Sequence, residues 1–531
     1  NTLTDGSSQG HYTVNNGQYS QTYADVLVNI NKRIQDFTIV ANIGASYSGV
    51  TSKELGYAGP IRETGIPNLF NVYDLDNAKK RATQVGWREA TESIFASAEV
   101  GWKSMLYLTV TGRNDWASQL THSPQASFFY PSVGLSAVIT EILKLPDWVD
   151  YLKVRGSFSS VGNPYPRFLT YPTYSYDANK QDWKSQTNYP IGKLYPERTD
   201  SWEVGLDATL FKDFKLSGSF YYANTYNQTF DPRLPVSSGY DKLYVQTGYV
   251  RNYGFEAMLS YGHRWGDFGW DSSFTFSANK NEIVELVKDY VHPETGKTYN
   301  VDKLELKTDE GRGFGKAKFI LKEGGTLGDL YTHADLKRDI NGNVLIDDSG
   351  NVTAIDNAGD IKLGSVLPKA NLAWNNSFSY KGINAGFLLT ARLGGIVYSA
   401  TQAYLDLYGV SETSAAARDA GGVWINGRSR VNPQSFYEVV ASQSGLPTYY
   451  TYSATNLRLQ EAHIGYTVPR RWLGNVCDIN VSLVGRNLWM IYCKAPFDPE
   501  AVATTNNYYQ GIDYFMMPST RNIGFNIKIN F

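Results

Sequence analysis

Fifteen separate segments of the chain alternate apolar and polar residues with a period of two. In residues 214–227, for example, Leu216 and Phe220 fall on one face, whereas Lys215 and Ser217 fall on the other. Because successive side chains of a β-strand point to opposite faces, each segment can separate an apolar medium from an aqueous one. The pattern predicts amphipathic strands along the whole chain and an all-β fold class.

The connections between these segments are alternately short and long. Short turns such as 212–213 alternate with long polar loops such as 283–369 over all fourteen connections. A chain that crosses a membrane as strands returns through tight turns on one side and longer loops on the other. We therefore predict a transmembrane antiparallel β-barrel with its long loops on the external side. The predicted strands cover residues 24–32, 37–48, 92–101, 105–116, 129–141, 152–161, 202–211, 214–228, 250–263, 268–282, 370–380, 384–395, 456–468, 477–489 and 520–531.

The composition agrees with this architecture. Aromatic residues make up 14% of the chain, with 39 Tyr and 12 Trp, which suffices for interfacial girdles on many strands. The mean hydropathy is −0.35, and the sequence lacks a run of about 18 apolar residues, which excludes membrane-spanning helices. The formal net charge of −2 gives no reason to expect a nucleic-acid partner.

Side-chain type assigns the two faces of each predicted strand. Apolar residues such as Phe276 and Trp374 are expected to contact lipid, and neighbours such as Thr275 to face an aqueous lumen. A Lys or Arg at the bilayer midplane costs about 2–4 kcal/mol, so the register should be well fixed. In residues 456–468 the alternation slips, which indicates a β-bulge near Gln460–Glu461 or, equally, an imperfect strand end.

The number of strands predicts that further strands precede them. Bacterial single-chain barrels have an even number of strands, and fifteen is odd. A sheet with two open edges would also expose unpaired backbone groups to hydrocarbon. We therefore expect this chain to be the C-terminal part of a larger barrel, with an odd number of strands before Asn1.

Seven segments, in a fixed order, carry a likeness to a known family. They include Val484-Gly-Arg-Asn-Leu-Trp489 and Arg521-Asn-Ile-Gly-Phe525, and the others occupy residues 130–137, 152–163, 197–207, 252–256 and 457–466. Together they resemble the C-terminal half of SusC/RagA-type TonB-dependent outer-membrane transporters. Such transporters have roughly 22 strands around a plugged lumen. The resemblance implies that residues 1–531 are the C-terminal part of the receptor barrel, without the plug, the TonB box and the first strands.

The resemblance also implies a function and a set of partners. The protein would import oligomeric nutrients, either glycans or peptides, across the outer membrane of a Gram-negative bacterium, and would not be an enzyme. Its partners would be a SusD-like surface lipoprotein lid, the TonB-ExbB-ExbD complex, outer-membrane lipid, and a plug-bearing N-terminal portion from the same polypeptide or a companion chain. Several lumen charges would bond to the plug rather than to substrate: Glu99, Arg113, Lys153, Arg155, Glu256 and Arg486.

Two other functions are compatible with the sequence. The barrel could serve as a structural or assembly subunit of an outer-membrane complex, in which case it would lack a solute cavity. The chain could also be a secreted carbohydrate-binding or enzymatic β-protein, with the apolar strand faces buried between stacked sheets. A solute cavity or solubility without detergent would separate these hypotheses.

Two long loops are unusually rich in aromatic residues. Flat aromatic rings stack on sugars and also pack against peptide side chains, although loop packing alone would explain them as well. These loops supply the candidate substrate-binding residues Tyr171, Tyr174, Tyr176, Trp183, Tyr508, Tyr509 and Tyr514.

The sequence gives little indication of a metal-binding or catalytic site. Oxygen ligands cluster around Asp339 and Asp347, which could hold calcium, but the spacing departs from an EF-hand, and Asn-Gly and Ser-Gly are ordinary turn pairs. The six His residues form no zinc-binding pattern, and we expect no metal, other cofactor or catalytic residue. Cys477 and Cys493 lie at opposite ends of one predicted strand, so we expect two free thiols.

Overall fold

In the computed structural model, fifteen strands form one sheet in which neighbours along the chain are hydrogen-bonded to each other. The predicted number and order of strands are confirmed. The structure describes residues 10–66, 69–170, 173–177, 182–185, 188–189, 194–230, 242–243, 245–291, 296, 298–306, 315–502 and 511–530.

The strands of this sheet are numbered β1 to β15 in chain order. They are β1 His11–Ile34, β2 Phe37–Pro60, β3 Arg81–Trp102, β4 Leu106–Ala117, β5 Ser127–Val138, β6 Val149–Asn163, β7 Glu197–Leu210, β8 Phe214–Phe230, β9 Val245–Trp265, β10 Phe268–Glu285, β11 Ala370–Tyr380, β12 Ile383–Leu393, β13 Asn456–Val468, β14 Asp478–Cys493 and β15 Asn522–Asn530. The helices are α1 Ile139–Ile142, α2 Ala400–Leu407, α3 Glu412–Asp419 and α4 Pro433–Val440. No helix within the described ranges is long and apolar enough to cross a membrane.

The first three strands are much longer than predicted. β1 and β2 have 24 residues each and β3 has 22, whereas about 9–11 residues suffice to cross a bilayer. The expected loop over residues 49–91 is therefore wrong at both ends. Outside a membrane, a strand needs only its ladder of hydrogen bonds and no apolar face, so the period of two fades where the strand continues.

The chain divides into two compact units. The first unit comprises residues 1–135, 157–200 and 225–247, and contains β1–β4 completely. The second unit comprises residues 136–156, 201–224 and 248–531, and contains β10–β15 completely. β5–β9 contribute residues to both units.

In the first unit, side chains of three neighbouring strands, β3, β4 and β5, form a hydrogen-bonded network around a buried carboxylate. Arg113 donates hydrogen bonds to Asp115 Oδ1 and Ser93 Oγ, both at 2.7 Å. The Tyr130 hydroxyl donates to the other Asp115 oxygen. Ser93 and Asp115 are buried, and the hydrogen bonds that they accept from Arg113 and Tyr130 offset the cost of removing them from water.

In the second unit, β9–β12 present one apolar and one polar face. Phe274 is the register partner of both Leu259 and Trp374, and directly paired residues share a face of the sheet. Phe274 and Trp374 are 40% and 42% exposed. Such exposure of large apolar side chains on adjacent strands indicates contact with another apolar medium, as predicted for lipid.

Aromatic side chains gather at the ends of β9–β11 beside the short turns. The ring centroids of Trp265 and Phe268 are 5.9 Å apart, and those of Trp270 and Phe378 are 6.4 Å apart. Tyr380 lies beside the next turn and is exposed. A band of amphipathic rings at one end of the strands is typical of a membrane interface.

The predicted bulge in β13 is confirmed. Leu388 pairs with Glu461 and Leu389 with Leu459, which leaves Gln460 as the extra residue. The pairing of β13 with β14 shifts at the same place. The bulge restores the alternation, so that Leu457 and Ile464 lie on the same face despite their odd separation.

The long loops of the second unit form a packed structure that we name the loop module, residues 303–306, 315–366, 396–455 and 511–515. It contains a four-stranded sheet of Lys303–Leu306, Ala317–Lys322, Asp329–Thr332 and Ile361–Ser365. It also contains α2, α3 and α4. Its buried core includes Phe319, Leu330, Tyr398, Phe436, Val440 and Ile512. The sequence predicted long polar loops between these strands, and the structure shows that the loops also carry helices, short strands and a buried core.

Buried polar groups tie the helices of the loop module together. The Asp406 carboxylate, at the end of α2, accepts hydrogen bonds from Gln402 Nε2 and the Tyr450 hydroxyl, both at 3.0 Å, and from Ser411 Oγ. Burial raises the pKa of Tyr450, and the adjacent Asp406 charge raises it further. Tyr398, also buried, donates its hydroxyl to the Ser444 carbonyl oxygen at 2.6 Å. These bonds satisfy the polar groups that the core encloses.

Cys477 and Cys493 are both free thiols. Cys493 is the last residue of β14, and Cys477 precedes its first residue.

Replacement of Phe274 by Lys should destabilise the membrane-inserted protein by about 2–4 kcal/mol, because an ammonium group would enter hydrocarbon. Thr275→Lys is the matched control, since the next side chain points to the polar face. Urea unfolding of the full-length protein in lipid vesicles measures both effects. Equal destabilisation by the two substitutions would contradict the assignment of faces.

Candidate functional site

Three of the predicted aromatic residues share one hairpin in the first unit. Strand Tyr174–Asp177 pairs with Asp182–Ser185, and Tyr176 lies opposite Trp183. Their ring centroids are 5.3 Å apart, and the side chains are 53% and 65% exposed. Tyr174 lies on the same face, two residues before Tyr176, and is also exposed. The hairpin therefore presents three solvent-facing rings, whereas Tyr171 lies outside the described residues.

Tyr514 belongs to a different aromatic group, at the surface of the loop module. Its ring centroid lies 5.3 Å from that of Phe515 and 6.4 Å from that of Tyr404, which α2 supplies. The Phe515 amide donates a hydrogen bond to Thr401 Oγ1 at 2.7 Å, which holds the segment against α2. The predicted aromatic residues thus form separate groups in separate units. Tyr508 and Tyr509 lie outside the described residues.

The candidate calcium ligands form two successive tight turns. Asp339 Oδ1 accepts the backbone N–H groups of Asn341 and Asn343, both at 2.8 Å. Asp347 Oδ1 accepts those of Ser349 and Asn351 at 3.0 and 2.8 Å. The Asn343 side chain and these backbone donors lower the pKa of Asp339. Across the described part of the chain, no three acidic, His or Cys side chains are grouped as a metal site. The expectation that these residues hold no metal stays a prediction, and the observed bonds fix turn geometry.

A cavity of about 780 Å³ lies on the polar face of the sheet in the second unit. Its wall is built from stretches of three consecutive residues on β8–β12, such as 217–219 and 256–258, and from Arg155 on β6. The bulge residue Gln460 and the segment after β14 complete it. Its charged lining residues are Arg155, Glu256, Arg392 and Glu500. A cavity of this size and polarity can hold a small solute.

Four of the six lumen charges that we expected to bond to a plug also have partners in the strand wall, and their bonding to a plug stays a prediction. Arg155 bonds to Asp207 at 2.7 Å and lies 3.5 Å from Glu203. Arg486 bonds to Glu461 at 2.9 Å. Arg113 bonds to Asp115, as described above, and Glu99 accepts a hydrogen bond from Thr109 at 3.2 Å. Three of the six charges, Arg113, Arg155 and Arg486, are therefore compensated by a carboxylate of the wall itself.

Arg458 clamps the segment 494–502 against β13. Its guanidinium donates to both Asp498 oxygens, at 2.8 and 3.2 Å, and lies 3.2 Å from Glu500. Asn456 Nδ2 donates to the Glu500 carboxylate at 3.1 Å. Burial alone would raise the pKa of Asp498, but the hydrogen bonds from Arg458, the Glu500 amide and Ser519, together with the Arg458 charge, outweigh it, and the pKa lies below its ordinary value. A bidentate Arg–carboxylate pair of this kind fixes position as well as charge.

The clamp places Glu500 at the cavity, although Glu500 belongs to a long loop. The sequence indicated that β13 has an irregularity, but it gave no sign of which loop residue Arg458 would bind. Arg392, Gln460 and Glu500 were therefore missed as cavity residues, whereas Glu256 and Arg155 were expected on the polar face. Alternation assigns a residue to a face. It does not show which residues of distant strands lie at the same height.

The family comparisons agree with this fold. The model of the family described as TonB dependent receptor-like, beta-barrel matches residues 1–488. The chain is 24% identical to TonB-dependent receptor P3 of Formosa agariphila over 524 residues, which cover 91% of this chain and 50% of that protein. It is also 24% identical to TonB-dependent receptor SusC of Bacteroides thetaiotaomicron over 433 residues, 75% of this chain and 40% of that protein. The chain spans about half the length of the curated relatives it matches.

Solved structures share the fold. The structure of the RagAB peptide transporter superposes with a TM-score of 0.73 at 18% identity and covers 97% of this chain and 56% of that chain. The RagAB peptide importer in its open-open state superposes with a TM-score of 0.69 at 17% identity, covering 98% of this chain and 55% of that chain. Likeness at this level of identity establishes a common architecture.

Substitution of Arg458 by Gln should release the segment 494–502, because Asp498 would keep a largely buried charge without its cation. The expected local loss is about 3 kcal/mol. The matched control is Arg486→Gln, whose pair is exposed and is worth about 0–1 kcal/mol. Hydrogen exchange of the segment in the full-length protein measures the effect. Unchanged protection in the Arg458 variant would show that the clamp does not hold the segment.

Proposed function

We propose, from the premise that this chain belongs to the TonB-dependent receptor family of β-barrels, that the protein containing it imports oligomeric nutrients. Members of this family are outer-membrane proteins of Gram-negative bacteria that serve in transport and are not enzymes. Glycans and peptides are both candidate nutrients. The single observation that carries the proposal is the solute-sized cavity on the polar face of the sheet.

The cavity supports transport over a purely structural role. A structural or assembly subunit has no need of a cavity of about 780 Å³ that its own loops reach. Here Glu500 is held at the cavity by Arg458 and Asn456. A ligand space defined by an ordered loop residue is suited to recognising a solute before it passes through the lumen.

An N-terminal portion would complete the barrel and supply the plug. In the described sheet, β1 and β15 are the first and last strands. An open edge within hydrocarbon would leave backbone N–H and C=O groups unpaired, at several kcal/mol each. Pairing with strands from the same polypeptide or a companion chain removes both edges. A plug carried by that portion would gate the lumen.

The remaining partners act on the two sides of the membrane. A SusD-like lipoprotein would cover the loop module, whose packed core makes it a firm surface for a lid. Exposed aromatic residues there, such as Tyr514 and Phe515, are typical of protein or solute contact. On the periplasmic side, the TonB-ExbB-ExbD complex would supply energy for plug movement.

The proposal is tested by uptake in a host that carries the full-length transporter and its natural partners. Deletion of the gene should abolish the uptake of at least one class of labelled oligosaccharides or peptides, and the intact gene should restore it. Inactivation of TonB should give the same loss, because passage requires energised movement of the plug. Unchanged uptake of every solute after deletion would contradict the proposed function.

A further inference from the structure

Four polar residues form a row across four neighbouring strands of the second unit. Glu256 on β9 pairs with Ser277 on β10, Ser277 pairs with Asn371 on β11, and Asn371 pairs with Arg392 on β12. All four line the cavity. Because register partners lie side by side at the same height, the row crosses the cavity wall at one level, with a carboxylate at one end and a guanidinium at the other.

The two charges at the ends of the row differ from the other charges of the cavity. Arg155 is paired with Asp207, and Glu500 is paired with Arg458. Arg392 donates to a neutral group, the Val366 carbonyl oxygen, at 2.7 Å, and its Nε is buried without a hydrogen-bond partner. Among the described residues, neither Glu256 nor Arg392 has an ion-pair partner, and Glu256 is exposed to the cavity. Glu500, which Arg458 holds, acts on Arg392 only through space, so the described chain provides no ion-pair partner for either end of the row.

We propose that this row binds a short extended peptide, with its terminal amine at Glu256 and its terminal carboxylate at Arg392. The inference rests on the proposed import function and names the class of solute that this cavity recognises. Ser277 and Asn371, between the two ends, provide hydroxyl and amide groups for the peptide backbone.

The spacing of the row sets the length of the peptide. Neighbouring strands lie about 4.8 Å apart, so the three steps from Glu256 to Arg392 span roughly 14 Å. An extended chain advances about 3.3–3.6 Å per residue, so roughly four residues fill this distance. The cavity volume of about 780 Å³ lies within the usual range of about 300–1,000 Å³ for such ligands.

The separation of opposite charges favours a peptide over a glycan. A neutral oligosaccharide would compensate neither Glu256 nor Arg392, and an acidic one would compensate only Arg392. A peptide with free termini carries one charge of each sign at its two ends. Arg also binds carboxylates through two parallel hydrogen bonds, which gives the carboxyl end a defined position.

The test measures binding of tetra-alanine to the purified full-length transporter with its natural partners. Four forms of the peptide are compared: free, N-acetylated, C-amidated and blocked at both ends. We expect each single block to weaken binding by roughly ten-fold or more, since a charge-assisted hydrogen bond is lost. The variant Arg392→Gln should lose sensitivity to amidation alone, and Glu256→Gln should lose sensitivity to acetylation alone.

Lys153→Gln is the matched control, because Lys153 lies on the polar face of β6 but not among the cavity residues. It should bind all four peptides as the natural protein does. Failure of the natural protein to bind tetra-alanine, or equal binding of free and blocked forms, would overturn the inference. The same holds if both row variants lower thermal stability without changing terminus preference, since the row would then hold another part of the protein.

These outcomes are separate from failure of the proposed function. If the transporter takes up oligosaccharides but its binding does not depend on peptide termini, the proposed import function stands and only the peptide assignment is wrong. If deletion of the gene changes the uptake of no solute, both the import function and the peptide assignment are wrong.

Discussion

The completeness of backbone hydrogen bonding is the constraint on which the rest of the structure depends. Hydrocarbon offers no water to an unpaired N–H or C=O group, so a spanning chain must satisfy these groups internally. In the described sheet, each strand is bonded to its neighbours in chain order. The short turns follow from this arrangement, because consecutive antiparallel strands need few residues to connect them. Side chains are then free to specialise by face.

Several charges of the polar face are paired within the strand wall. Arg113 with Asp115 and Arg155 with Asp207 are examples from the two units. Such pairs compensate these charges and fix the positions of the side chains that carry them. Glu256 and Arg392 differ from these pairs, because neither has an ion-pair partner in the strand wall. The loop module, with its own core, can hold a segment such as 494–502 in a fixed place beside them.

Sequence periodicity predicted those features that depend on neighbouring residues. Phe274 and Thr275 were assigned to opposite faces correctly, and the phase slip at Gln460 located a bulge. The extensions of β1–β3 were missed because strands outside a membrane need no apolar face. The core of the loop module was missed because its members, such as Phe319, Tyr398 and Ile512, are far apart in sequence. The row that ends at Arg392 depends on the register of four strands, which alternation alone does not fix.

For the sheet to span a membrane, its apolar face must lie against lipid. Spin labels placed singly along residues 270–278 of β10, in the full-length protein in bilayers, test this most directly through collision with oxygen and with a water-soluble nickel complex. We predict that labels at Trp270, Phe274, Phe276 and Ala278 are accessible to oxygen. Labels at the alternating positions Ser273, Thr275 and Ser277 should be accessible to the nickel complex. Protection of Phe274 and Phe276 from both reagents would place them in a protein core and contradict the account.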